Sequence, residues 1–189
     1  MPAADLAARA RRVRLVTCDV DGVLTDGRIH VAENGSELKV YSVLDGLGMK
    51  WLLRSGIEVA WITGSDAGAV AQRAAMLGVQ RVHQSAEDKL EVWQRLCATL
   101  ALEPAQCAHI GDDFPDLPIL LRCGMAVTLP QAPDALRRRA HYVTKRAGGD
   151  GAVRELAELV LSAQGKLEAL LAAYGDAADA PSDPRVRRL

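Results

Sequence analysis

The polar residues that could do chemistry stand directly after three apolar runs and at the start of one predicted helix. They are Asp19 and Asp21 after the first run, Thr63 and Gly64 after the second, Asp112, Asp113 and Asp116 after a later one, and Lys89 at the helix. Such runs predict buried parallel strands, whose carboxyl ends meet at one edge of an open sheet. We therefore expect these side chains to converge on one cleft.

Several carboxylates in one cleft repel each other unless a bound cation offsets their charge. Hard oxygen ligands favour Mg²⁺ over softer metals, and a bound cation would also screen an incoming phosphate. A fixed carboxylate nucleophile would divide the hydrolysis of a phosphomonoester into two steps through an aspartyl-phosphate. The pattern therefore predicts a magnesium-dependent phosphohydrolase.

The predicted strand ends suggest a role for each residue at the first run. Asp19 stands at the strand tip and would attack phosphorus. Asp21, two residues on, would protonate the leaving oxygen and later activate water. Gly22 would let backbone N–H groups approach the phosphate.

The later runs would supply the rest of the site. The Thr63 hydroxyl and the Gly64 N–H would bind phosphate oxygens, and Lys89 would add a compact positive charge. Asp112 would complete the metal site with Asp19 and Asp21. Each residue alone has an ordinary alternative as a helix cap, a turn or a surface charge. Their joint occurrence in this order favours the functional interpretation.

Alternating strands and helices would position these residues. Residues 13–20 predict the first strand, and two alternating runs around Asn34-Gly35 predict a β-hairpin that projects over its carboxyl end. Helices are expected over 46–54, 67–77, 87–100 and 151–171, with strands between them. This order predicts an α/β fold with a doubly wound, Rossmann-like parallel sheet. We expect one domain over residues 1–171 and a mobile tail over 172–189.

Composition limits the partners of the chain. The 189 residues are 49% hydrophobic and 25% charged, and the net charge of −1 does not point to nucleic acid or anionic membranes. Neither a signal peptide nor a membrane-length apolar stretch is present, so a cytoplasmic location is expected. The four cysteines are predicted to be reduced and mostly buried. The four histidines are scattered and predicted to be structural or surface residues, with only His30 near the site.

Residues 19–27, which read Asp-Val-Asp-Gly-Val-Leu-Thr-Asp-Gly, resemble the first signature of the haloacid dehalogenase-like phosphatases. Thr63-Gly64, Lys89 and the run from Gly111 to Asp116 resemble the other three signatures. The short hairpin, the lack of a cap-sized insertion and the Gly-Gly-Asp-Gly-Ala-Val-Arg-Glu segment at 148–155 resemble one branch, the 3-deoxy-D-manno-octulosonate 8-phosphate phosphatases. This resemblance covers about residues 12–161.

The resemblance implies more than the residues do by themselves. It makes Asp19 the nucleophile, Asp21 the acid/base, and Asp112 and the Asp21 main-chain carbonyl metal ligands, with Asp113 and Asp116 as acidic supports. It implies a capless homotetramer in which the hairpins and a neighbouring subunit help to close each site. The product of the branch enters lipopolysaccharide inner-core synthesis.

One position departs from the pattern of the branch. The second signature commonly reads Ser-Gly-Arg or Thr-Gly-Arg, whereas here Ser65 follows Thr63-Gly64. The missing cation could be replaced by an arginine from elsewhere, and the candidates are Arg54, Arg73, Arg81 and Arg146. Arg146 is included among our predicted substrate-binding residues.

Three alternatives to this function stay open on the sequence. The first is a phosphatase for 2-keto-3-deoxynononate 9-phosphate or another sugar phosphate. The second is a non-catalytic scaffold, against which the intact acidic and basic residues argue. The third is a phosphotransferase or mutase, which normally needs a cap domain to exclude water.

Overall fold

The computed structural model describes residues 3–179, which fold around one parallel sheet. The strands are β1 Leu15–Cys18, β2 His30–Val31, β3 Glu37–Leu38, β4 Glu58–Ile62, β5 Arg81–His83, β6 Cys107–Ile110, β7 Met125–Thr128 and β8 Tyr142–Val143. Six of them form the sheet in the order β5-β4-β1-β6-β7-β8, and every pair is parallel. The remaining two, β2 and β3, pair antiparallel as a separate hairpin.

Helices cover both faces of the sheet. They are α1 Ala3–Arg12, α2 Val43–Arg54, α3 Gly68–Leu77, α4 Lys89–Thr99, α5 Leu117–Leu120, α6 Asp134–Arg137, α7 Ala152–Ala163 and α8 Leu167–Asp179. Alternate residues of β1 point to opposite faces, as the strand period of two requires. Leu15 packs in one core with Trp93 of α4, and Val16 packs in the other with Trp51 of α2 and Leu156 of α7. The predicted doubly wound α/β fold is confirmed.

The central strand β1 determines where the site lies. Cys18, its last residue, is level with Trp61 of β4 and with Ile110 of β6. The segments that follow these three strands therefore emerge side by side at one edge of the sheet. The chain moves from β1 to one side of the sheet and later to the other, which is the arrangement that opens a crevice at the carboxyl ends of parallel strands.

The connection from β1 to α2 contains the predicted hairpin. β2 and β3 are joined by a turn in which Gly35 adopts φ 80°, a conformation that suits glycine. The next helix starts at Val43, three residues earlier than predicted, because the Ser42 side chain accepts a hydrogen bond from the Leu44 N–H and caps it. Within the described chain, nothing larger than this hairpin is inserted between β1 and α2.

The C-terminal part differs from the sequence prediction. The single helix expected over 151–171 is two helices, α7 and α8, separated at Gly165, whose φ of 68° ends the first one. The second helix continues to Asp179, past the predicted start of the tail, and its Tyr174 hydroxyl accepts a hydrogen bond from the Trp51 indole at 3.1 Å. Residues 180–189 of the predicted tail lie outside the described residues.

Two sequence predictions about the whole molecule can be compared with the structure. All four cysteines are free and buried, as expected. Across residues 3–179, every helix is too short or too polar to cross a lipid bilayer.

Buried Asp45 on α2 ties that helix to the start of α7. Its carboxylate accepts hydrogen bonds from the N–H groups of Gly151 at 3.2 Å and Arg154 at 2.8 Å. Gly151 precedes α7 and has no side chain to cap it, so Asp45 satisfies donors that a local cap would normally satisfy. Burial raises the pKa of Asp45, although these N–H groups act in the opposite direction.

We expect Asp45→Ala to lower the free energy of unfolding by about 2–3 kcal/mol, because it leaves two buried N–H groups without an acceptor. Urea unfolding followed by circular dichroism measures this loss. The matched control is Asp134→Ala, which removes an exposed carboxylate that pairs with Arg137, and for which a loss below about 1 kcal/mol is expected. Equal losses in the two variants would contradict a capping role for Asp45.

Candidate active site

The candidate active site is built on Asp19, the first residue after β1. Its backbone N–H donates to the Ile110 carbonyl at 3.0 Å, so the β1–β6 ladder fixes the main chain up to this point. The side chain is only 6% exposed. Asp19 is therefore a buried carboxylate on a rigid strand end rather than a surface turn residue.

Lys89 connects Asp19 to a second carboxylate. It is the first residue of α4, and Asp88 caps that helix by accepting from the Glu91 N–H. Its Nζ lies 2.7 Å from Asp19 Oδ1 and 2.8 Å from Asp116 Oδ1. The sequence predicted that Lys89 could reach the acidic residues, and in the structure its ammonium lies between two of them.

A third carboxylate, Asp112, completes the group that we call the acid cluster: Asp19, Asp112 and Asp116. One ligand oxygen from each of the three lies within 4.8 Å of the others. Close approach is possible because residue 22 is glycine. A Cβ atom on Gly22, whose φ is 97°, would stand 2.0 Å from Asp112 Oδ2.

Burial and neighbouring charges shift the pKa values of Asp19, Asp112 and Lys89. Burial, followed by the charge of Asp116, raises the pKa of Asp19 to about 6, although Lys89 acts to lower it. Burial and the neighbouring Asp19 and Asp116 raise the pKa of Asp112 to about 7. For Lys89, burial lowers the pKa, but the two carboxylates outweigh it and raise the pKa above its ordinary value.

The acid cluster fits a divalent cation. Three carboxylates face one ammonium, which leaves two negative charges uncompensated when all three acids are ionised. Asp112 Oδ1 is buried and has no hydrogen-bond partner among residues 3–179, so a polar ligand position is left open in the protein interior. An all-oxygen donor set with this charge suits Mg²⁺.

The Asp21 side chain lies outside the acid cluster and contacts the hairpin strand end instead. Its Oδ1 pairs with Nζ of Lys39 at 2.6 Å, and the same ammonium lies 3.4 Å from Glu37. Lys39 was missed by sequence analysis, although its side chain is only 5% exposed. The available signal was the strand period of two, which places Glu37 and Lys39 on one face of the hairpin just after the first acidic signature.

Thr63 and Gly64 follow β4, the strand next to β1. Thr63 is buried, and its hydroxyl oxygen accepts a hydrogen bond from the Ser65 N–H at 3.1 Å. Gly64 is exposed, and a Cβ atom on it would meet open space within 4 Å. Both residues thus lie at the edge of the sheet where Asp19 lies, and Gly64 is open to solvent.

Asp113 and Arg146 are both exposed, unlike the acid cluster. Asp113 caps a short 3₁₀ turn by accepting from the Phe114 N–H, and it does not join the metal-binding group of acids. Arg146 donates to the Asp150 carbonyl at 3.2 Å and lines a cavity with Tyr142 and Arg154. A substrate contact by Arg146 stays a prediction.

The sheet topology leaves fewer candidates to replace the arginine that the branch commonly has where Ser65 stands here. Arg81 begins β5 and pairs with Glu58, which begins β4, so both stand at the amino ends of strands, opposite the site. Arg54 ends α2 just before β4 and is at that same far edge. Arg73 instead donates to the Ser42 carbonyl at the start of α2 and lies over the Tyr41 ring.

The glycine-rich segment at 148–151 packs against the loop of the first signature. The Gly149 N–H donates to the Val23 carbonyl at 3.0 Å. A Cβ atom on Gly148 would stand 1.9 Å from the Gly22 carbonyl oxygen, so only glycine allows this approach. The Gln131 amide also donates to that carbonyl at 3.1 Å. These contacts hold the loop that carries Asp21 and Gly22.

Known proteins that are similar to this chain belong to one family of phosphatases. A family model described as haloacid dehalogenase-like hydrolase matches residues 78–156. The 3-deoxy-D-manno-octulosonate 8-phosphate phosphatase KdsC of Yersinia pestis is 46% identical over 164 residues, which cover 87% of this chain and 88% of the relative. The KdsC protein of Escherichia coli K12 is 46% identical over 165 residues, with the same coverage.

Solved structures agree with the sequence relatives. The crystal structure of the Yersinia pestis phosphatase is 46% identical, has a TM-score of 0.85 and covers 87% of this chain and 89% of its own. The phosphatase of Moraxella catarrhalis, solved in complex with a magnesium ion, a phosphate ion and a KDO molecule, is 38% identical with a TM-score of 0.90. That match covers 92% of this chain and 99% of the Moraxella chain.

The raised pKa values predict how metal-free protein responds to pH. The pKa values of Asp19 and Asp112, about 6 and about 7, lie above the ordinary 3.8, so the folded protein favours the protonated carboxyl groups. The stability that this preference gives is fully present below about pH 3.8 and is lost as the pH rises through 6 to 7. With chelator present, we expect the melting temperature to fall between about pH 5 and pH 8, relative to Asp112→Asn. Mg²⁺ should raise it more at the higher pH, where protons no longer compete for the carboxylates.

Differential scanning calorimetry of the two proteins, with chelator and with excess Mg²⁺, measures these shifts. Asp112→Asn is the control because it keeps the shape of the side chain and removes one negative charge. A magnesium shift of the same size in both proteins, or at both pH values, would refute the assignment of the cation to the acid cluster.

Proposed function

The chain belongs to the 3-deoxy-D-manno-octulosonate 8-phosphate phosphatases of the haloacid dehalogenase-like hydrolase family, and from this premise we propose that it is a magnesium-dependent phosphatase that hydrolyses this sugar phosphate to KDO and phosphate. The observation that carries the proposal is Lys89 held between Asp19 and Asp116, with Asp112 beside them at one sheet edge. The relatives at 46% identity supply the substrate. The KDO that is released serves lipopolysaccharide synthesis.

The chemistry proceeds in two displacements at phosphorus. In the first, an Asp19 oxygen attacks and forms the new P–O bond while the bond from phosphorus to the sugar oxygen breaks, and Asp21 gives its proton to that oxygen. In the second, Asp21 takes a proton from water, the water oxygen attacks the aspartyl-phosphate, and inorganic phosphate leaves while Asp19 is regenerated. The two steps together consume one water, which enters in the second step, and Asp21 ends with the proton that it gave in the first.

The remaining site residues bind and neutralise charge. Lys89 offsets charge on Asp19 and on the phosphoryl oxygens, while the Gly22 loop, Thr63 and Gly64 bind those oxygens. Asp19, Asp112 and the Asp21 main-chain carbonyl would hold Mg²⁺, which would supply positive charge at the phosphoryl group. We assign Asp116 to holding Lys89 and Asp113 to the outer support of the loop.

The Lys39–Asp21 pair supports a flap role for the hairpin. An ammonium 2.6 Å from the acid/base carboxylate links the hairpin strand end to the reacting groups. The hairpin thereby shields a capless site from one side. We propose that the predicted domain over residues 1–171, extended by the rest of α8 to Asp179, is one catalytic domain, because the segments that carry the site surround a single sheet.

We expect Asp19→Asn to abolish turnover, with a loss of at least about 10⁴ in kcat, because the amide keeps the shape but cannot act as the nucleophile. Phosphate release from 3-deoxy-D-manno-octulosonate 8-phosphate in the presence of Mg²⁺ measures this. The control is Asp113→Asn, which changes an exposed acid of the neighbouring loop in the same way and should retain kcat within about threefold.

Retained turnover in Asp19→Asn would remove Asp19 from the role of nucleophile. The same assay with the nine-carbon 2-keto-3-deoxynononate 9-phosphate distinguishes the proposed substrate from its nearest alternative. We expect a higher kcat/KM for the eight-carbon ester, and the reverse order would transfer the assignment to the nine-carbon acid.

We further propose that the protein is a cytoplasmic homotetramer. Five apolar side chains on and beside the hairpin are 61–78% exposed, which is typical of an interaction surface. They are Ile29, Val31, Leu38, Val40 and Val43. The four free, buried cysteines support a reducing compartment.

We expect Val31→Glu to lower the mass in solution from tetramer to smaller species, because it places a charge on the apolar hairpin surface. Size-exclusion chromatography with light scattering measures the mass. The matched control is Leu121→Glu, at another exposed apolar residue, which should remain tetrameric. A wild-type protein that is monomeric at all concentrations tested would overturn the tetramer.

A further inference from the structure

A chain of buried polar groups continues from the acid cluster into the protein core. His109, in the middle of β6, has its Nε2 atom 3.2 Å from Asp116 Oδ1 and its Nδ1 atom 2.8 Å from the Thr17 hydroxyl. His109, Asp116 and Thr17 are all 0% exposed. The prediction that His30 alone of the histidines lies near the site is wrong for His109. The contacts of His109 join it to Thr17 on the adjacent strand β1 and to Asp116 in the turn after β6.

The hydrogen-bond geometry favours one tautomer of the ring. Thr17 has a single hydroxyl proton, which can go to His109 Nδ1 or to the Ala108 carbonyl at 3.2 Å. In the second case a neutral ring would carry its proton on Nδ1 and turn the bare Nε2 lone pair toward a carboxylate. In the first case Thr17 donates to Nδ1 and the Nε2–H donates to Asp116, so each group in the chain has a suitable partner.

His109 therefore restrains Asp116 from the side opposite the cleft. Asp116 Oδ1 accepts from the His109 ring and from the Lys89 ammonium at 2.8 Å. Both donors meet at the same carboxylate oxygen, so they fix the orientation of the Asp116 side chain. This orientation of Asp116 holds the Lys89 ammonium 2.7 Å from Asp19 Oδ1.

We propose that His109 is a positioning residue for phosphoryl transfer, which fixes the Lys89 ammonium against Asp19 by holding Asp116 from within the core. This inference rests on the proposed phosphatase function and deepens it. His109 touches none of the reacting atoms, so it acts only through Asp116 and Lys89. Thr17 serves the same chain one step further back by orienting the ring.

A matched pair of amides tests the proposal. In His109→Gln the side-chain amide can reach the position of Nε2 and still donate to Asp116, whereas in His109→Asn it reaches only the position of Nδ1. Both variants bury one amide in the same place. We expect His109→Gln to keep kcat within about threefold of wild type, and His109→Asn to lose about 10- to 100-fold in kcat with KM changed by less than about threefold.

A double-mutant cycle shows whether His109 acts through Lys89. In a Lys89→Met background, the further change His109→Asn should leave the residual kcat unchanged, because the group that His109 positions is already absent. An equal loss in both backgrounds would overturn the proposal, since His109 would then act independently of Lys89. Circular dichroism and thermal melting establish that each variant is folded.

The assay uses p-nitrophenyl phosphate as well as the eight-carbon sugar phosphate, both with saturating Mg²⁺. A wild-type protein that hydrolyses neither ester defeats the proposed function itself. An active wild type whose Gln and Asn variants have the same kcat defeats the positioning role alone. If neither variant folds, Thr17→Val decides, because it keeps the ring and removes its orienting hydroxyl. A several-fold loss of kcat supports the proposal and an unchanged kcat overturns it.

Discussion

Mutual repulsion among buried carboxylates is the constraint around which this molecule is organised. Asp19 and Asp116 are buried and Asp112 is half-buried, so water only partly screens the three carboxylates that meet at one sheet edge. The fold tolerates this because Lys89 bridges two of the acids and because a divalent cation suits the remaining charge. Burial, and after it the same repulsion, raises the pKa values of Asp19 and Asp112. The groups that are unfavourable for stability are therefore those to which we assign metal binding and the attack on phosphate.

The surrounding structure can be understood as support for that acid cluster. β1 lies between β4 and β6, so backbone ladders hold it on both sides up to Cys18, and the Asp19 N–H then donates to the Ile110 carbonyl of β6. Gly22 gives Asp112 room, and the 148–151 segment holds the Gly22 loop from behind. Behind Asp116, His109 and Thr17 extend the network into the core, where each hydrogen bond is shielded from competition with water. Rigid elements thus hold every acid of the cluster, as precise positioning of catalytic groups requires.

Substrate recognition depends on parts of the chain that are less tightly constrained. Ser65 stands where the branch commonly has an arginine, and the structure places Arg54 and Arg81 at the far edge of the sheet. Arg73, beside Tyr41 and the Ser42 carbonyl, and the exposed Arg146 are the remaining candidates. The exposed apolar hairpin adds a surface that a neighbouring subunit would cover. We therefore assign catalysis to residues at the edge of the sheet, and we propose that substrate recognition depends on the hairpin, the loops and a neighbouring subunit.

Local patterns in the sequence were sufficient for the strands, the hairpin and the placing of Asp19, Lys89 and Asp112 at one edge of the sheet, because apolar periodicity, turn residues and short signatures are local properties. Contacts between distant segments needed the tertiary structure. They include Lys39 on Asp21, Asp45 on the start of α7, and the His109–Asp116–Lys89 chain. The break at Gly165 and the continuation of α8 to Asp179 were also missed, since packing of Tyr174 and Leu170 against the core stabilises that helix. The sequence by itself determined which chemical groups are present and at which strand ends. Only the tertiary structure decided how they pair, because hydrogen bonds and charge interactions depend on distances between residues that the chain order leaves unspecified.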